Sequence, residues 1–349
     1  MRRRFDVTTL IMWAIGALIV FVVIWGSINT LRAGTYSKEN WIDFIIFGVA
    51  QGCLYALIAL GYTLVYGILR MINFAHGEVF MAGAFTGYYV AKPLFDSGFL
   101  VNYPLLGLFV VAAVAMGTSI LVAFLLERIC YRPLRNAPRL VPLITAIGAS
   151  LFLQYTFSGL YGNNIQTYPD IPSLEGKMQI FGIGILKTQA AVIIAATILM
   201  VALYLFVQYT KAGKAMRAVS EDKQTAALMG VDVDATIVRT FIIGAALAGA
   251  AGVLYALLNK QVSFYMGFQP GLKAFTSAVL GGIGNIPGAM LGGIVLGLIE
   301  SLGPSLFLEG WKIPAPYQLK DAIAFTMLVL ILIFRPTGIL GERLSKTKA

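Results

Sequence analysis

The single histidine of the chain, His76, lies close to Asn73 and Glu78, immediately before an apolar run. Asparagine is a residue type that caps helices, and a glutamate in the first helical turn is favoured by the helix dipole. One imidazole cannot form a metal site by itself, so the pattern indicates no metal. Two interpretations remain: a capped helix start, or a gate or subunit contact formed by Asn73, His76 and Glu78.

Two further features stand out because they interrupt apolar sequence. Glu300 lies inside an apolar run, where an ionisable group indicates function because its burial is costly. Its closeness to Pro304 leaves the alternative that the carboxylate reaches the membrane interface. The second feature is a short apolar piece that ends in glycines, which predicts a broken helix and adds candidates for a pathway or gate. These glycines are Gly281, Gly282 and Gly284.

Covalent chemistry is not indicated by any motif. The sequence has no Gly-rich phosphate-binding loop, no Gly-x-Ser-x-Gly nucleophile and no pair of carboxylates within one apolar run. Cys53 and Cys130 lie far apart without metal-ligand spacing. We therefore expect a protein that is not an enzyme and that holds no metal or cofactor of its own.

The composition predicts an integral membrane protein. Hydrophobic residues make up 58% of the 349 residues and charged residues only 12%, and the mean hydropathy is +0.82. A membrane-spanning helix needs about 20 apolar residues, and the apolar runs lack the alternation of barrel strands. The net charge of +10 does not indicate nucleic acid, because the basic residues lie between apolar segments.

Nine apolar spans and one shorter segment are predicted. The nine lie at approximately 10–28, 42–66, 77–92, 104–126, 140–160, 187–208, 238–258, 286–303 and 319–334. The shorter segment, 273–282, either crosses as a broken helix or packs as a half-helix inside the bundle. We expect an all-α polytopic protein with about ten membrane segments, forming one transmembrane domain over residues 1–349.

The distribution of charge predicts the orientation. The basic clusters at 2–4 and 335–348 lie on the same side only if the number of crossings is even, and cytoplasmic segments carry an excess of Lys and Arg. Ten crossings place both termini, residues 208–239 and most of the 26 Lys and Arg in the cytoplasm. Residues 161–187 then form the longest external loop. The first run is read as a retained helix, since the alternative, a cleaved signal, lacks a small-residue cleavage pattern.

Small residues recur at intervals of four in two of the predicted spans. Such stripes are typical of helices whose backbones approach closely. They consist of Gly244, Ala248, Gly252 and Ala256 in the span 238–258, and of Gly288 and Gly292 in the span 286–303 with Gly284 just before it.

The cytoplasmic segment 208–239 contains a second candidate site. Its part from Lys211 to Gly230 predicts one short, charged helix ended by a glycine with positive φ. The helix lacks a broad apolar stripe that would hold it on its own bundle, which favours docking on a partner. A passive basic loop that only fixes topology is the alternative.

Four blocks of sequence occur in a recognisable order: GYTLVYG at 61–67, MINFAHGE at 71–78, KAFTSAVLGGIG at 273–284 and RPTGILG at 335–341. The chain resembles the permeases of high-affinity branched-chain amino acid ABC importers. The resemblance covers nearly the whole chain, and these blocks are its most specific part. The resemblance implies an ABC-importer permease bundle in the bacterial cytoplasmic membrane. It also implies a pathway for branched-chain or other hydrophobic amino acids, which is switched between its two sides by ATP.

The resemblance further implies partners and a coupling role for residues 208–239. The partners are a second related permease, ATP-binding subunits that hold ATP and Mg, and an extracytoplasmic substrate-binding protein. The docking segment begins at Gly213, and the family's Ala-Ala-x-x-Gly core corresponds to Ala226, Ala227 and Gly230. Thr225 replaces the family's usual acidic residue, which leaves the docking register open.

Two other functions remain as alternatives. Permeases of urea and short-amide importers are closely similar, so the cargo is open. A stand-alone secondary transporter would use Glu300 and the break at 281–287. For an amino acid with an aliphatic side chain we expect a passage lined by small and weakly polar groups, without a dense charged site.

Overall fold

The computed structural model describes residues 7–135, 137–138, 140–180 and 182–341. Helices account for most of these residues. The α-helices are α1 Val7–Ala33, α2 Lys38–Leu69, α3 His76–Asp96, α4 Phe99–Asn102, α5 Pro104–Leu125, α6 Leu140–Tyr161, α7 Lys187–Tyr209, α8 Lys211–Glu221, α9 Lys223–Leu228, α10 Val233–Asn259, α11 Phe268–Gly281, α12 Ile286–Gly303 and α13 Lys320–Phe334. The strands are β1 Gln166–Thr167, β2 Lys177–Ile180, β3 Ile183–Leu186 and β4 Gln261–Val262.

Each of the nine predicted spans matches one long helix, and the shorter segment corresponds to α11. Eight helices within the described residues are long and apolar enough to cross a membrane, and α3 and α11 are the two segments outside that set. The prediction of an all-α polytopic protein with about ten membrane segments is confirmed. At 14 residues, α11 is about 21 Å long, shorter than a hydrocarbon core of about 30 Å.

The centre of the bundle is α2, which is buried over most of its length and packs chiefly on α12. A Cβ atom added at Gly293 would lie 2.5 Å from the backbone of Ala56, and one at Gly297 would lie 2.4 Å from that of Gly52. The two helices run antiparallel with their backbones in contact. This contact therefore requires glycine on α12.

The second layer consists of α3, α5 and α10. A Cβ atom at Gly83 of α3 would lie 2.7 Å from Cα of Gly249 on α10. Ser119 of α5 donates to the Val79 carbonyl of α3 at 2.9 Å. Protein surrounds α3 on these sides, so it tolerates polar residues that a lipid-exposed helix of its length would not.

The predicted stripe on α10 is a packing surface, and so are Gly288 and Gly292 of the second stripe, whereas Gly284 precedes α12 and has open space beside it. A Cβ atom at Gly244 would lie 3.2 Å from Gly61 of α2, and one at Gly252 would lie 2.8 Å from the backbone of Ala84 on α3. On the other stripe, a Cβ atom at Gly292 would lie 2.1 Å from the carbonyl oxygen of Ser277 on α11.

The predicted external loop carries its own short sheets. Strand β1 pairs antiparallel with β4, and β2 pairs with β3 in a hairpin. The β1–β4 pair joins this loop to the chain that follows α10, so both lie at one end of the bundle. The basic residues 2–4, Arg139, Arg343, Lys346 and Lys348, on which the predicted orientation partly rests, lie outside the described residues.

The orientation of the bundle can be tested with single cysteines at Ser173 and Gln224, which are both exposed and lie in the segments predicted to be external and cytoplasmic. Because basic segments stay in the cytoplasm, Ser173→Cys should react with an impermeant maleimide in intact cells, and Gln224→Cys only after permeabilisation. The background lacks Cys53 and Cys130. Labelling of Ser173→Cys from the cytoplasmic side alone would overturn the ten-crossing orientation.

Candidate pathway and coupling sites

The start of α3 differs from the predicted capped helix in one respect. The N-cap residue is Ala75, and no side chain caps the helix there. Asn73 instead accepts a hydrogen bond from the Tyr131 hydroxyl at 2.5 Å and is 3% exposed. The prediction that Asn73 caps α3 is therefore wrong, because its side-chain oxygen is used to hold Tyr131, the last residue of the π-helical segment that follows α5. Glu78 does lie in the first turn of α3, as predicted.

The buried carboxylate of Glu78 connects α3 to α6. Its Oε1 accepts from the Gln154 amide at 2.7 Å and from the Ser150 hydroxyl at 3.1 Å, while Oε2 has no partner among the described residues. His76 is also buried, and its ring lies 4.9 Å from that of Tyr62. The start of α3 thus places a histidine and a glutamate inside the protein, each with a polar atom that finds no partner in the described parts of the chain.

The start of α11 lies against the start of α3. A Cβ atom at Gly77 would lie 2.4 Å from the carbonyl oxygen of Gly267, so only glycine allows this approach. Beside the two helix starts is a largely apolar cavity of about 340 Å³ between α6 and α11. Its lining consists of Tyr62, Phe74, Ile147, Ser150, Leu151, Phe268, Gly271 and Leu272.

The predicted helix break lies at the other end of α11. Gly282 and Gly284 have φ of +107° and +97°, a left-handed conformation that favours glycine. A Cβ atom at Gly281 would lie 1.9 Å from the carbonyl oxygen of Gly288, so α11 and α12 are joined by a very close turn. Asn285 caps α12 by accepting from the Gly288 amide at 2.9 Å.

Residues 335–341, the C-terminal block, pack on this helix break and hydrogen-bond to it. The amides of Ile339 and Leu340 donate to the carbonyls of Leu280 and Gly281 at 2.8 and 3.0 Å. The amide side chain of Asn285 donates to the Leu340 carbonyl at 2.9 Å. The last carbonyls of α11, which a helix end leaves unsatisfied, are therefore paired with backbone from the end of the chain.

The candidate pathway residues form two groups and not one site. Asn73, His76 and Glu78 lie by the first turn of α11, whereas the three glycines of the break lie at its last turn. α11 connects the two groups, and its Phe275 contacts both Phe74 and Tyr62. Their role in transport stays a prediction.

The predicted coupling helix is two helices, which corrects the expectation of one. Asp222 interrupts the helix with φ −152° and ψ 113°, and its carboxylate accepts from the amides of Gln224 and Thr225 as the N-cap of α9. Thr225, which replaces the family's acidic residue, also donates from its hydroxyl to Asp222 at 3.0 Å. Gly230 has φ +84°, which confirms the predicted positive φ after the helix.

The two helices differ in burial. Met216 and Val219 of α8 are 3% and 1% exposed and pack on α2, α7 and α10. The expectation that the segment lacks an apolar stripe is thus wrong for α8, and Gly213 is buried in the same contact. At the end of α9, Leu228 and Met229 are 88% and 80% exposed. α8 thus buries one face and exposes a mainly polar face that includes Lys214 and Arg217, whereas the exposed large apolar side chains of the segment lie at the end of α9.

Within the predicted coupling core, the side chains face different ways. Ala226 is 5% exposed and packs on the bundle. Ala227 is exposed beside Leu228 and Met229, and Gly230 is exposed in the turn that follows. Ala227 and Gly230 are thus accessible to a partner, whereas Gly213 and Ala226 hold the segment in place.

Basic residues surround the coupling segment. Arg70 donates to the Ser220 carbonyl of α8 at 3.1 Å, which links the end of α2 to α8. Partial burial, together with Arg135 and Arg70 nearby, lowers the pKa of Lys223 below its usual value. Arg135 itself pairs with the buried carboxylate of Glu127 and with Asp234 in the first turn of α10.

Sequence reasoning missed a buried charged cluster in the other half of the bundle. Lys273 of α11 lies 2.7 Å from Glu300 of α12 and 2.6 Å from Asp321 of α13. The expectation of no dense charged site is therefore wrong for the interior of the bundle. Glu300 is 6% exposed, so it is buried in the bundle where it pairs with Lys273. The available signal was a lysine at the start of an apolar segment, with acids in the next two spans.

The family model described as "Branched-chain amino acid transport system / permease component" matches residues 44–332 of the chain. LivH of Escherichia coli K12, named a high-affinity branched-chain amino acid transport system permease protein, is 42% identical over 298 residues. These residues are 84% of this chain and 94% of LivH.

Two further relatives are also named as branched-chain amino acid transport permease proteins. BraD of Pseudomonas aeruginosa, a high-affinity branched-chain amino acid transport system permease protein, is 42% identical over 87% of this chain and 96% of its own length. The archaeal "Probable branched-chain amino acid transport permease protein LivM" of Methanocaldococcus jannaschii is 25% identical over 93% of this chain and 94% of its own length. No solved structure matches the chain.

The close contact at the break can be tested with Gly282→Ala, using Gly284→Ala as a matched control. Both glycines have positive φ, so each substitution should cost about 1–2 kcal/mol of backbone strain. Only at Gly282 does a Cβ atom also meet backbone, 2.5 Å from the amide of Gly341, whereas Gly284 has open space. We expect a lower melting temperature and less uptake for Gly282→Ala than for Gly284→Ala. Equal effects would show that the docked C-terminal block is unimportant.

Proposed function

The chain belongs to the family of branched-chain amino acid transport permeases, and on that premise we propose that it forms the translocation pathway for branched-chain amino acids in an ATP-driven importer. The observation that carries this proposal is the 42% identity to LivH and BraD over more than nine-tenths of their lengths. The bundle of membrane-spanning helices supports it, since such a pathway requires a multi-pass membrane protein.

The importer needs partners that supply energy and substrate. The sequence has no phosphate-binding loop, so ATP and Mg would be held by separate ATP-binding subunits. The similarity to a LivM protein over most of the chain supports a second, related permease as the other half of the pathway. A binding protein outside the membrane would deliver the amino acid. The protein would lie in a bacterial cytoplasmic membrane with both termini in the cytoplasm.

The moving part of the pathway would be α11. It is shorter than the membrane, it begins against Gly77 and ends at a break whose φ values only glycine adopts readily. A shift of α11 would rearrange the contacts of Phe275 with Phe74 and Tyr62 and the ion pairs of Lys273. The cavity of about 340 Å³ beside its first turn supplies apolar surface suited to an aliphatic side chain. Asn73, His76 and Glu78 would form the gate at this cavity.

ATP-driven motion would enter through α9. Leu228 and Met229 are exposed side by side at its end, and adjacent exposed apolar side chains suit contact with another protein. A groove on an ATP-binding subunit is the expected partner surface, with Ala227 leaving room for close contact. The burial of α8 on α2, α7 and α10 would carry the motion into the bundle.

The substrate can be tested in proteoliposomes that contain this chain with its cognate second permease, ATP-binding subunits and binding protein. We expect ATP-dependent accumulation of labelled leucine, isoleucine and valine, and none of labelled urea. Accumulation of urea without leucine would favour the short-amide alternative. Uptake of leucine by the chain alone, driven by an ion gradient, would favour a secondary transporter.

The coupling role of α9 can be tested with Leu228→Ser/Met229→Ser. Because both side chains are largely exposed, the substitution should leave the fold intact but remove apolar contact with an ATP-binding subunit. We expect co-purification of that subunit to fall about tenfold, as for the loss of an interface anchor. The matched control is Leu228→Met/Met229→Leu, which keeps the apolar surface. Full assembly and transport by the serine variant would instead support a passive loop.

A further inference from the structure

The charged cluster inside the bundle leaves one donor direction open. Lys273 is 5% exposed and contacts the carboxylates of Glu300 and Asp321 at 2.7 and 2.6 Å. A lysine ammonium carries three donors, so one remains for a further acceptor. The side chain of Asp321 is 32% exposed, whereas that of Glu300 is 8% exposed. The two carboxylates thus contact the same lysine from different environments.

Three buried oxygens in the same region have no hydrogen bond from the described residues. One is Oδ1 of Asp321, which still forms an ion pair with Lys273 at 2.6 Å. The other two are Oε2 of Glu300 and Oε1 of Gln51, and each of these residues is 6% exposed. The amide nitrogen of Gln51 is already used, since it donates to the Tyr55 hydroxyl at 3.0 Å. Because a buried acceptor without a donor is costly, this pair of atoms indicates a site that another molecule completes.

A cavity of about 80 Å³ adjoins these groups and is lined by Gln51, Tyr55, Lys273 and Glu300. Asp321 contacts Lys273 but is not part of the cavity lining. One water molecule needs about 10–15 Å³ of such volume, so the cavity accommodates several groups of that size. Two small polar groups on one carbon atom fit this space.

The cavity lies at the end of the bundle predicted to face outside. Asn259, the last residue of α10, lines it and is followed by β4, which pairs with β1 of the predicted external loop. Tyr317 and Lys320 at the start of α13 also line it. In the proposed function this is the side from which the binding protein delivers the substrate.

We propose that this cavity binds the α-carboxylate and α-ammonium groups of a zwitterionic amino acid as it enters the pathway. The ammonium of Lys273 donates to the substrate carboxylate, and the free oxygens of Glu300 and Gln51 accept from the substrate ammonium. Urea would engage the acceptors but offers no anion to Lys273. This inference rests on the proposed function and adds the groups of the substrate that are recognised.

A purely structural ion network is the rival account. It explains why α11, α12 and α13 are held together by Lys273, but it does not explain the two acceptors without donors or the open volume beside them. It also makes a different prediction. Because Glu300 is the more buried carboxylate, a structural network predicts that Glu300→Gln lowers the melting temperature and subunit assembly more than Asp321→Asn, whereas loss of a substrate contact lowers uptake without these changes.

The test compares Glu300→Gln with Asp321→Asn in the complete importer, in proteoliposomes with ATP and leucine delivered by the binding protein. Each substitution removes one carboxylate and leaves Lys273 with the other. Loss of a charged contact to the substrate should lower the rate of uptake about tenfold in Glu300→Gln, while Asp321→Asn should stay within about threefold of the wild type. Gln51→Leu, which leaves the ion network intact, should lower uptake about fivefold.

Co-purification of all subunits and the melting temperature identify variants that fail to fold, and in that case Gln51→Leu decides. Equal uptake by Glu300→Gln and Asp321→Asn, or normal uptake by Gln51→Leu, would overturn the proposal. The wild-type complex tests the proposed function separately. If it carries no leucine, the function itself is wrong, whereas equal rates of leucine uptake by the wild type and Glu300→Gln refute only the binding cavity.

Discussion

Gly293 and Gly297 allow α12 to lie directly on the backbone of α2, and the positions of the other helices depend on this contact. Lipid tails are as apolar as the side chains they would replace, so helices in a membrane associate mainly through close van der Waals packing. The contact extends from Ala56 to the Gly48 region, where Ser301 donates to the Phe44 carbonyl at 2.7 Å. A bulky side chain anywhere along it would separate the helices.

The same contact fixes the polar groups on these helices. Gln51 lies on α2 between the glycine contacts, and Glu300 lies on α12 one turn beyond Gly297, so both are held beside the cavity by backbone packing. α12 in turn positions α11 through the close turn at Gly281 and Gly288. A helix as short as α11 ends inside protein, where its last carbonyls need donors. The C-terminal block supplies them, which gives the RPTGILG sequence a physical reason.

The sequence predicts the helices well because hydropathy reports directly on the membrane environment. The stripe at Gly244–Ala256 and the pair Gly288 and Gly292 were also visible, since helix contacts of this kind need small residues at regular intervals. The sequence does not predict pairings between residues that are far apart along the chain. Nothing local shows that Asn73 receives its donor from Tyr131, or that Lys273 meets acids 27 and 48 positions further along the chain. Such pairings exist only once α11, α12 and α13 are packed.

In the coupling segment, the single residue Asp222 divides the predicted helix into two helices. The composition of the segment favours helix from Lys211 to Leu228, but the carboxylate of Asp222 offers the amides of Gln224 and Thr225 a better acceptor than continued helix, so a new helix starts there. The division separates a helix that is anchored on the bundle from a helix whose apolar end is exposed. α8 is held by Arg70 and by burial on α2, and α9 keeps its exposed apolar end. α8 and α12 both pack on α2, so α2 is the helix that connects the predicted coupling segment to the contact at Gly293 and Gly297 and to the cavity beside it.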